Sequence, residues 1–364
     1  MTSPETSTAI LTIDLDALGA NYRLLDDKLG PASLGAAVKA DAYGLGSDRA
    51  VQTLQQAGCE DFFVAVVDEG MALRKTLPDA RIHILGGVIS DDIRKACIAQ
   101  NLIPVLNSLA DIAAWKEAAP ERPCDIHMDT GMLRLGLPPD ETALIANNPG
   151  LTEGLAVDTV LSHLAVADEA NNPKNAEQLA AFTPLAPLFK GARASLANSS
   201  GIFLGPDYHF DLARAGVALY GGNPTPGEPN PMAQVIRLQG KILQVRDVDT
   251  PQTVGYGATH RVKKPGRVAT VGVGYADGYL RSLSNTGCGY IGKDRVPLIG
   301  RVSMDLITFD VTDVPVDAAH AGALVDLVGP NNPVDDVAES AGTIAYEILT
   351  SLGPRLHRIY QGGH

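Results

Sequence analysis

The sequence predicts an α/β protein, with an N-terminal (β/α)8 barrel of the TIM type followed by a mainly β C-terminal domain. Three observations predict it. From Leu34 to about Gly216, short apolar runs alternate eight times with amphipathic stretches; a proline-rich segment then interrupts the pattern; and beyond it the chain reads as strands and turns. A length of 364 residues suits one large domain plus a smaller one better than a single core. The expected organisation is a flexible N-terminal segment over 1–9, the barrel over 10–230 and the β domain over 231–364.

The eight apolar runs are 34–38, 62–67, 81–86, 103–106, 125–128, 160–163, 192–196 and 211–214. Between them, 47–56, 68–77, 91–99, 109–118 and 175–189 have helical periodicity and a length suited to crossovers between parallel strands. Ser47 stands where an N-cap belongs, and Gly58 follows the first of these helices as a stop signal. The segment 222–231 holds four prolines in ten residues and can sustain neither helix nor strand ladder, which marks the domain boundary. After it, strands are expected at 234–245, 267–273, 296–302, 306–311 and 323–328, with one helix from Asp335 to about Ser351.

Composition narrows the function. Asp and Glu outnumber Lys and Arg by 42 to 29, a formal charge of −13, and no basic run is interleaved with aromatics, so a nucleic-acid partner is not expected. The first eight residues lack the charged and apolar regions of a signal peptide, and no apolar stretch is long enough to span a bilayer; no membrane association is expected, and the cytoplasm is the expected compartment. Cys59, Cys97, Cys124 and Cys288 are far apart and form no C-x-x-C pair, which argues for reduced, packed thiols. His127 and Asp129 are close in sequence, but spacing identifies no third ligand, and no metal site is expected.

A barrel of this type carries its chemistry where the strands end. Lys39 closes the first apolar run and precedes a glycine-containing turn; desolvation there can leave its amine neutral, the form that attacks an aldehyde. Arg134 follows the fifth run, and its planar fork suits a carboxylate or phenolate. His163 and Arg214 end the sixth and eighth runs in apolar surroundings, where an unpaired charge is costly. The segment 198–201, with Gly216 and Val217, offers hydroxyls and backbone N–H groups to a phosphate. His163 could equally be a satisfied core histidine, and Arg214 could pair with Asp211.

These residues lie in segments that resemble the alanine racemase family: Val38-Lys39-Ala40-Asp41-Ala42-Tyr43-Gly44, Asp129-Thr130-Gly131-Met132 with Arg134-Leu135-Gly136, Ser162-His163, Ala197-Asn198-Ser199, and Arg214-Ala215-Gly216-Val217-Ala218-Leu219-Tyr220-Gly221. The resemblance continues into the second domain through Gly255-Tyr256-Gly257, Gly274-Tyr275-Ala276-Asp277-Gly278-Tyr279 and Gly300-Arg301-Val302-Ser303-Met304-Asp305. It implies an isomerase that uses pyridoxal 5'-phosphate to racemise a small amino acid, alanine, and that supplies D-alanine as a peptidoglycan precursor. It further implies a homodimer with shared active sites, the β domain of one subunit completing the barrel mouth of the other.

By the same resemblance, Lys39 forms the Schiff base, and Tyr43, Ser199, Gly216, Val217 and Tyr346 bind the phosphate. Arg214 meets the pyridine nitrogen and His163 lies against the ring; the two together are expected to supply positive charge that eases formation of a tyrosinate. Arg134 and the backbone of Met304 hold the substrate carboxylate, while Tyr256, Tyr275, Met304 and Asp305 act across the interface. Lys39 and Tyr256 of the partner subunit are then the two acid–base groups on opposite faces of the substrate.

The family pattern is not matched everywhere. His127 stands where many relatives have a lysine that becomes carbamylated and orients the arginine. Ser195 stands where some have a histidine, and Leu356-His357-Arg358 replaces a common Val-Pro-Arg. Alternatives are a broader alanine/serine racemase, a decarboxylase, for which Arg214 is the wrong partner of the pyridine nitrogen, and a non-catalytic cofactor-binding protein, which leaves the β domain unexplained.

Overall fold

The structure is a computed structural model, described here for residues 3–363. Its barrel consists of β2 to β9, preceded by a strand, β1 (Ala9–Asp14), that belongs to another sheet. The barrel strands are β2 (Ser33–Ala37), β3 (Asp61–Val64), β4 (Arg81–Ile84), β5 (Ile103–Leu106), β6 (Pro123–His127), β7 (Ala156–Leu161), β8 (Arg193–Ser195) and β9 (Leu212–Ala215). All are parallel, in the order β8-β7-β6-β5-β4-β3-β2-β9. Backbone bonds from Asp211 to Ala194 (3.0 Å) and from Arg214 to Ala197 (2.9 Å) close β9 onto β8. Each of the eight expected runs contributes one strand.

The helices Asp91–Ala99 and Leu109–Ala118 have the expected bounds, each capped by the serine before it: Ser90 Oγ accepts from Ile93 N, and Ser108 Oγ from Asp111 N. Three expectations are corrected. Ser47 is the first residue of the helix Ser47–Gln56 and not its N-cap; the cap position is Gly46, and Asp41 Oδ1 takes the Ser47 N–H at 2.7 Å. The helix expected over 175–189 runs Pro173–Phe182 and stops there, because Pro184 and Pro187 cannot continue its ladder. The helix expected from Asp335 to Ser351 is two, Val334–Ala341 and Ala345–Thr350, divided at Gly342, whose φ of +70° ends the first in the left-handed region.

The second sheet is built from β10 (Ile236–Val248), β13 (Gly266–Val271), β14 (Cys288–Ile291), β15 (Asp294–Pro297), β16 (Ile307–Asp310), β17 (Leu324–Val328) and β18 (His357–Gln361), joined by β1. A separate hairpin pairs β11 (Gln252–Val254) with β12 (His260–Val262). β1 pairs antiparallel with β10 and parallel with β18. Residues 9–14, all but the first of which were expected in the barrel, therefore belong to the β sheet. The helix Leu15–Leu29, capped by Asp14 through Ala17 N at 2.9 Å, leads from there into β2. Residues 1 and 2 of the expected flexible segment lie outside the described residues; further along it, Lys241 Nζ donates to the carbonyls of Pro4 and Glu5. The four cysteines are buried and unpaired, and no helix among the described residues is long and apolar enough to cross a membrane.

The barrel interior is partly polar. Strand alternation places Asp61, His83 and Asp125 inward, where His83 Nδ1 meets Asp125 Oδ2 at 2.6 Å and Nε2 meets Asp61 Oδ1 at 3.0 Å. An imidazolium donating from both ring nitrogens satisfies the two carboxyl groups, while burial pushes the Asp125 carboxyl above the ordinary aspartate range. Burial opposes that charge, but Asp125 and Asp61 outweigh it and hold the pKa up at about 9. At the lower rim Arg193 bridges Asp61 and Asp158, and Arg81 contacts the same two carboxylates. Asp61, His83 and Asp158 are grouped closely enough to hold a metal ion. The two guanidinium groups and the imidazolium already balance the three carboxylates.

Candidate active site

Lys39 stands two residues beyond β2 and is half-buried at the barrel mouth. Burial, then Arg134, then Arg214 push its amine below the ordinary lysine range, while Glu69 pulls the other way. The direction is toward the neutral amine, opposed by Glu69. The chain next enters a left-handed turn through Ala40, Asp41, Ala42 and Tyr43, closed by Gly44 at φ +83°.

Arg214 is buried on β9. Its Nη1 donates to Ser195 Oγ, and its Nη2 donates to the Ser162 carbonyl at 2.6 Å and meets His163 Nδ1 at 3.3 Å. Asp211 is not its partner; that carboxylate takes the Ala194 N–H at 2.8 Å. Burial lowers the Arg214 pKa to about 10, which still leaves the guanidinium charged at neutral pH. His163 lies two residues beyond β7. Burial, then Arg214, Arg134, His127 and Lys39 hold it well below the usual histidine range. A neutral ring accepting at Nδ1 is the consistent state, so positive charge here comes from Arg214 alone, against the expectation of a charged pair. Gln178, from the helix Pro173–Phe182, fixes the His163 carbonyl at 2.9 Å and reaches Thr130 Oγ1 at 3.3 Å.

Arg134 sits in the loop after β6, exposed, and its guanidinium makes no hydrogen bond to another described residue. The loop is ordered by Asp129, whose carboxylate takes the N–H groups of Gly131, Met132 and Leu133, and by backbone bonds between Leu137 and both His127 and Asp129. His127 Nδ1 bonds Asn107 Oδ1 at 2.8 Å, and the Asn107 amide donates to the carbonyls of Leu85 and Val105. Asn107 can therefore only accept from the ring, which makes Nδ1 the protonated nitrogen. Burial, with Arg214 and Arg134, brings His127 down to about 4. His127 is thus tied to Asn107 and supplies no carboxylate-like group to Arg134.

The region expected to bind phosphate is assembled from four segments. Ser199 Oγ accepts from Gly216 N (2.8 Å) and Ala218 N (3.3 Å), which leaves its own proton to donate outward. Tyr43 stacks on Tyr220 at 4.6 Å and tilts against Tyr346 at 6.0 Å. Burial raises the pKa of both Tyr43 and Tyr346, the latter to about 12, so both are neutral donors. A Cβ on Gly216 would come within 2.4 Å of the Tyr43 hydroxyl, so only glycine leaves this cradle open. An amine biased toward neutrality, a buried guanidinium and a cradle of neutral hydroxyls and backbone N–H groups fit pyridoxal phosphate.

The β-domain residues form a second cluster. Tyr256 opens the turn Tyr256–Ala258, and Gly257 packs on Arg301. Tyr275 N donates to Ser303 O (3.1 Å) and Ala276 N to Met304 O (3.0 Å), which brings Tyr275, Met304 and Asp305 together. Asp305 also accepts from Arg355 at 2.7 Å. Tyr256 is 73% exposed, Met304 53% and Tyr275 42%. Among the described residues no hydrogen bond or ion pair joins this cluster to the mouth containing Lys39.

Sequence reading did not single out Glu69, Asn107 or Gln178. Asn107 directly follows an expected strand end, which was a usable signal; Ala40, the distant partner of Glu69, and the partners of Gln178 lie in other segments and left none.

A sequence model described as the N-terminal domain of alanine racemase matches residues 13–224, and one described as its C-terminal domain matches residues 235–360. The alanine racemase of Rhodospirillum rubrum is 51% identical over 98% of this chain and 96% of its own, and that of Rhizobium meliloti 45% over the whole of both. The crystal structure of the Bartonella henselae alanine racemase, which has covalently bound pyridoxal phosphate, superposes with a TM-score of 0.93 at 40% identity, covering 98% of this chain and all of that one. The biosynthetic alanine racemase of Pseudomonas aeruginosa gives 0.91 at 33% identity, covering 98% of this chain and all of its own.

Proposed function

The chain belongs to the alanine racemase family and is a pyridoxal-phosphate-dependent enzyme that interconverts L- and D-alanine by a two-base mechanism; from that premise we propose which residues perform each part. When bound, the cofactor supplies an aldehyde for an amine and a ring that draws electron density from the α carbon. Lys39 would hold it through the amine. Tyr43, Ser199, Gly216, Val217 and Tyr346 would hold the phosphate, and Arg214 the pyridine nitrogen, with His163 beside the ring.

Arg134 and the Met304 backbone bind the substrate carboxylate, which fixes which faces of the α carbon are presented to the two bases. Lys39 Nζ takes the proton from the D-substrate and returns it in the opposite direction; its lowered pKa makes a free amine accessible. On the L face Tyr256 of the partner subunit would take the proton as its phenolate and return it as its hydroxyl. Arg214, which remains charged at neutral pH, would hydrogen-bond the ring nitrogen without protonating it and so restrain the electron sink. Tyr256, Tyr275, Met304 and Asp305 reach a mouth only on a second subunit, and we assign the working unit as a homodimer with two composite sites.

The observation that carries the assignment is the buried Arg214, bound to Ser195, Ser162 and neutral His163, where a decarboxylase would want an acid. The test is Tyr256→Phe in reconstituted protein. Cofactor absorbance stays unchanged while racemisation, followed by chiral chromatography, falls by roughly 10²–10⁴-fold, the usual worth of a general acid–base. Unaltered turnover in both directions would remove Tyr256 from the mechanism.

A further inference from the structure

The turn after Lys39 runs against the preference of L-amino acids. Ala40, Asp41, Ala42 and Tyr43 have φ of +53°, +54°, +52° and +56°, a conformation that costs roughly 1–2 kcal/mol per residue. Contacts from outside the turn must hold it. On its far side Asp41 Oδ1 takes the Ser47 N–H at 2.7 Å. On the side of Lys39 the contact is Glu69: Oε1 accepts from Ala40 N at 2.7 Å, and Oε2 accepts from Ala65 N at 2.8 Å and Val66 N at 3.4 Å. One carboxylate thus fastens the residue after Lys39 to the first two residues after β3, the strand that neighbours β2 in the barrel. Glu69 stands in the first turn of the helix Val67–Thr76, where the positive end of the helix favours a negative side chain.

We propose that Glu69 is a positioning residue for Lys39, fixing the backbone from which the amine projects and supplying the negative charge that faces it. This rests on the reading of Lys39 as the cofactor-bearing base. The charged and titratable groups facing that amine are Arg134 from the loop after β6, Arg214 on β9, neutral His163 beyond β7, and Glu69. Burial and the two arginines drive the amine toward its neutral form, and Glu69 opposes them. Lys39 must both take and return a proton, so a counterweight that keeps the protonated form within reach serves both directions.

The test separates charge from hydrogen bonding with Glu69→Gln and Glu69→Asp. The readout is the pH dependence of Lys39 carbamoylation by cyanate in cofactor-stripped protein, followed by mass spectrometry; it requires no turnover. Glu69→Gln is expected to move the midpoint downward by about one pH unit, the direction set by loss of a nearby opposite charge. Glu69→Asp keeps the charge and is expected to leave the midpoint near that of the unaltered protein, while holoenzyme kcat falls several-fold because the shorter side chain releases Ala40. A Glu69→Gln midpoint that is unchanged or higher overturns the proposal, as does a Glu69→Asp midpoint that falls as far as that of Gln. If Glu69→Gln does not fold, the Asp variant decides through its kcat: unimpaired turnover overturns the positioning role. Failure of the underlying reading is separately visible, because borohydride would then not trap the cofactor on Lys39 in unaltered protein.

Discussion

At the scale of single residues, the site is governed by protonation states that its surroundings impose. Lys39 is biased toward a free amine, His163 and His127 are neutral, and Arg214 is charged although buried. Arg214 keeps its charge because Ser195, the Ser162 carbonyl and His163 Nδ1 all accept from it. Ser195, in the position of a histidine in some relatives, thus acts on the guanidinium through its hydroxyl. If Arg214 meets the pyridine nitrogen as proposed, replacing it by Glu would place an acid there and strengthen the electron sink. The expected outcome is new long-wavelength absorbance during turnover and measurable conversion of alanine to pyruvate; the absence of both in a cofactor-loaded variant would remove Arg214 from that position. At this scale the sequence was informative wherever a strand end carried an unusual residue, as at Lys39, His163 and Arg214. It was silent where a partner comes from a distant segment: the Ser195–Arg214 and Glu69–Ala40 contacts are set by the docking of neighbouring barrel strands, which no local pattern encodes.

At the scale of elements, the barrel holds its strands together with a buried ionic column as well as apolar packing. His83 between Asp125 and Asp61 is its centre, and its pKa of about 9 lies above the ~6.5 of an unfolded histidine. A raised pKa means that the stabilisation is fully present below pH ~6.5 and is lost as pH climbs through about 9; its size is on the order of 3 kcal/mol. Asp61 has the opposite sign. Burial disfavours its charge, but Arg193 and His83 hold its pKa below the ordinary aspartate value, so its contribution is lost only in acid. The melting temperature is therefore expected to fall between pH 6.5 and 9 in unaltered protein and to fall less in His83→Gln; parallel curves would show that His83 is uncharged in the fold. All eight barrel strands were legible as apolar runs because each is buried on both faces. The joining of β1 to β10 and β18 was not legible, since its partners lie more than two hundred residues away in the chain. The breaks at Phe182 and Gly342 were marked by proline and glycine signals inside otherwise periodic stretches.

At the scale of the whole molecule, the residues assigned to the site fall in two clusters that no hydrogen bond or ion pair joins among the described residues. The mouth holds Lys39, Arg134, His163 and Arg214, and the β domain exposes Tyr256, Tyr275 and Met304 to solvent. Large side chains left in water on an ordered turn are accounted for if a second subunit covers them. The measurement that tests this most directly is complementation between Lys39→Ala and Tyr256→Phe, each inactive alone, unfolded together and refolded with cofactor. Half of randomly reassorted dimers then combine one of each chain and hold one complete site of two, so about a quarter of the unaltered activity is expected to return. If the mixture stays as inactive as its components while the refolded protein is dimeric and holds cofactor, Lys39 and Tyr256 do not serve one site from two subunits.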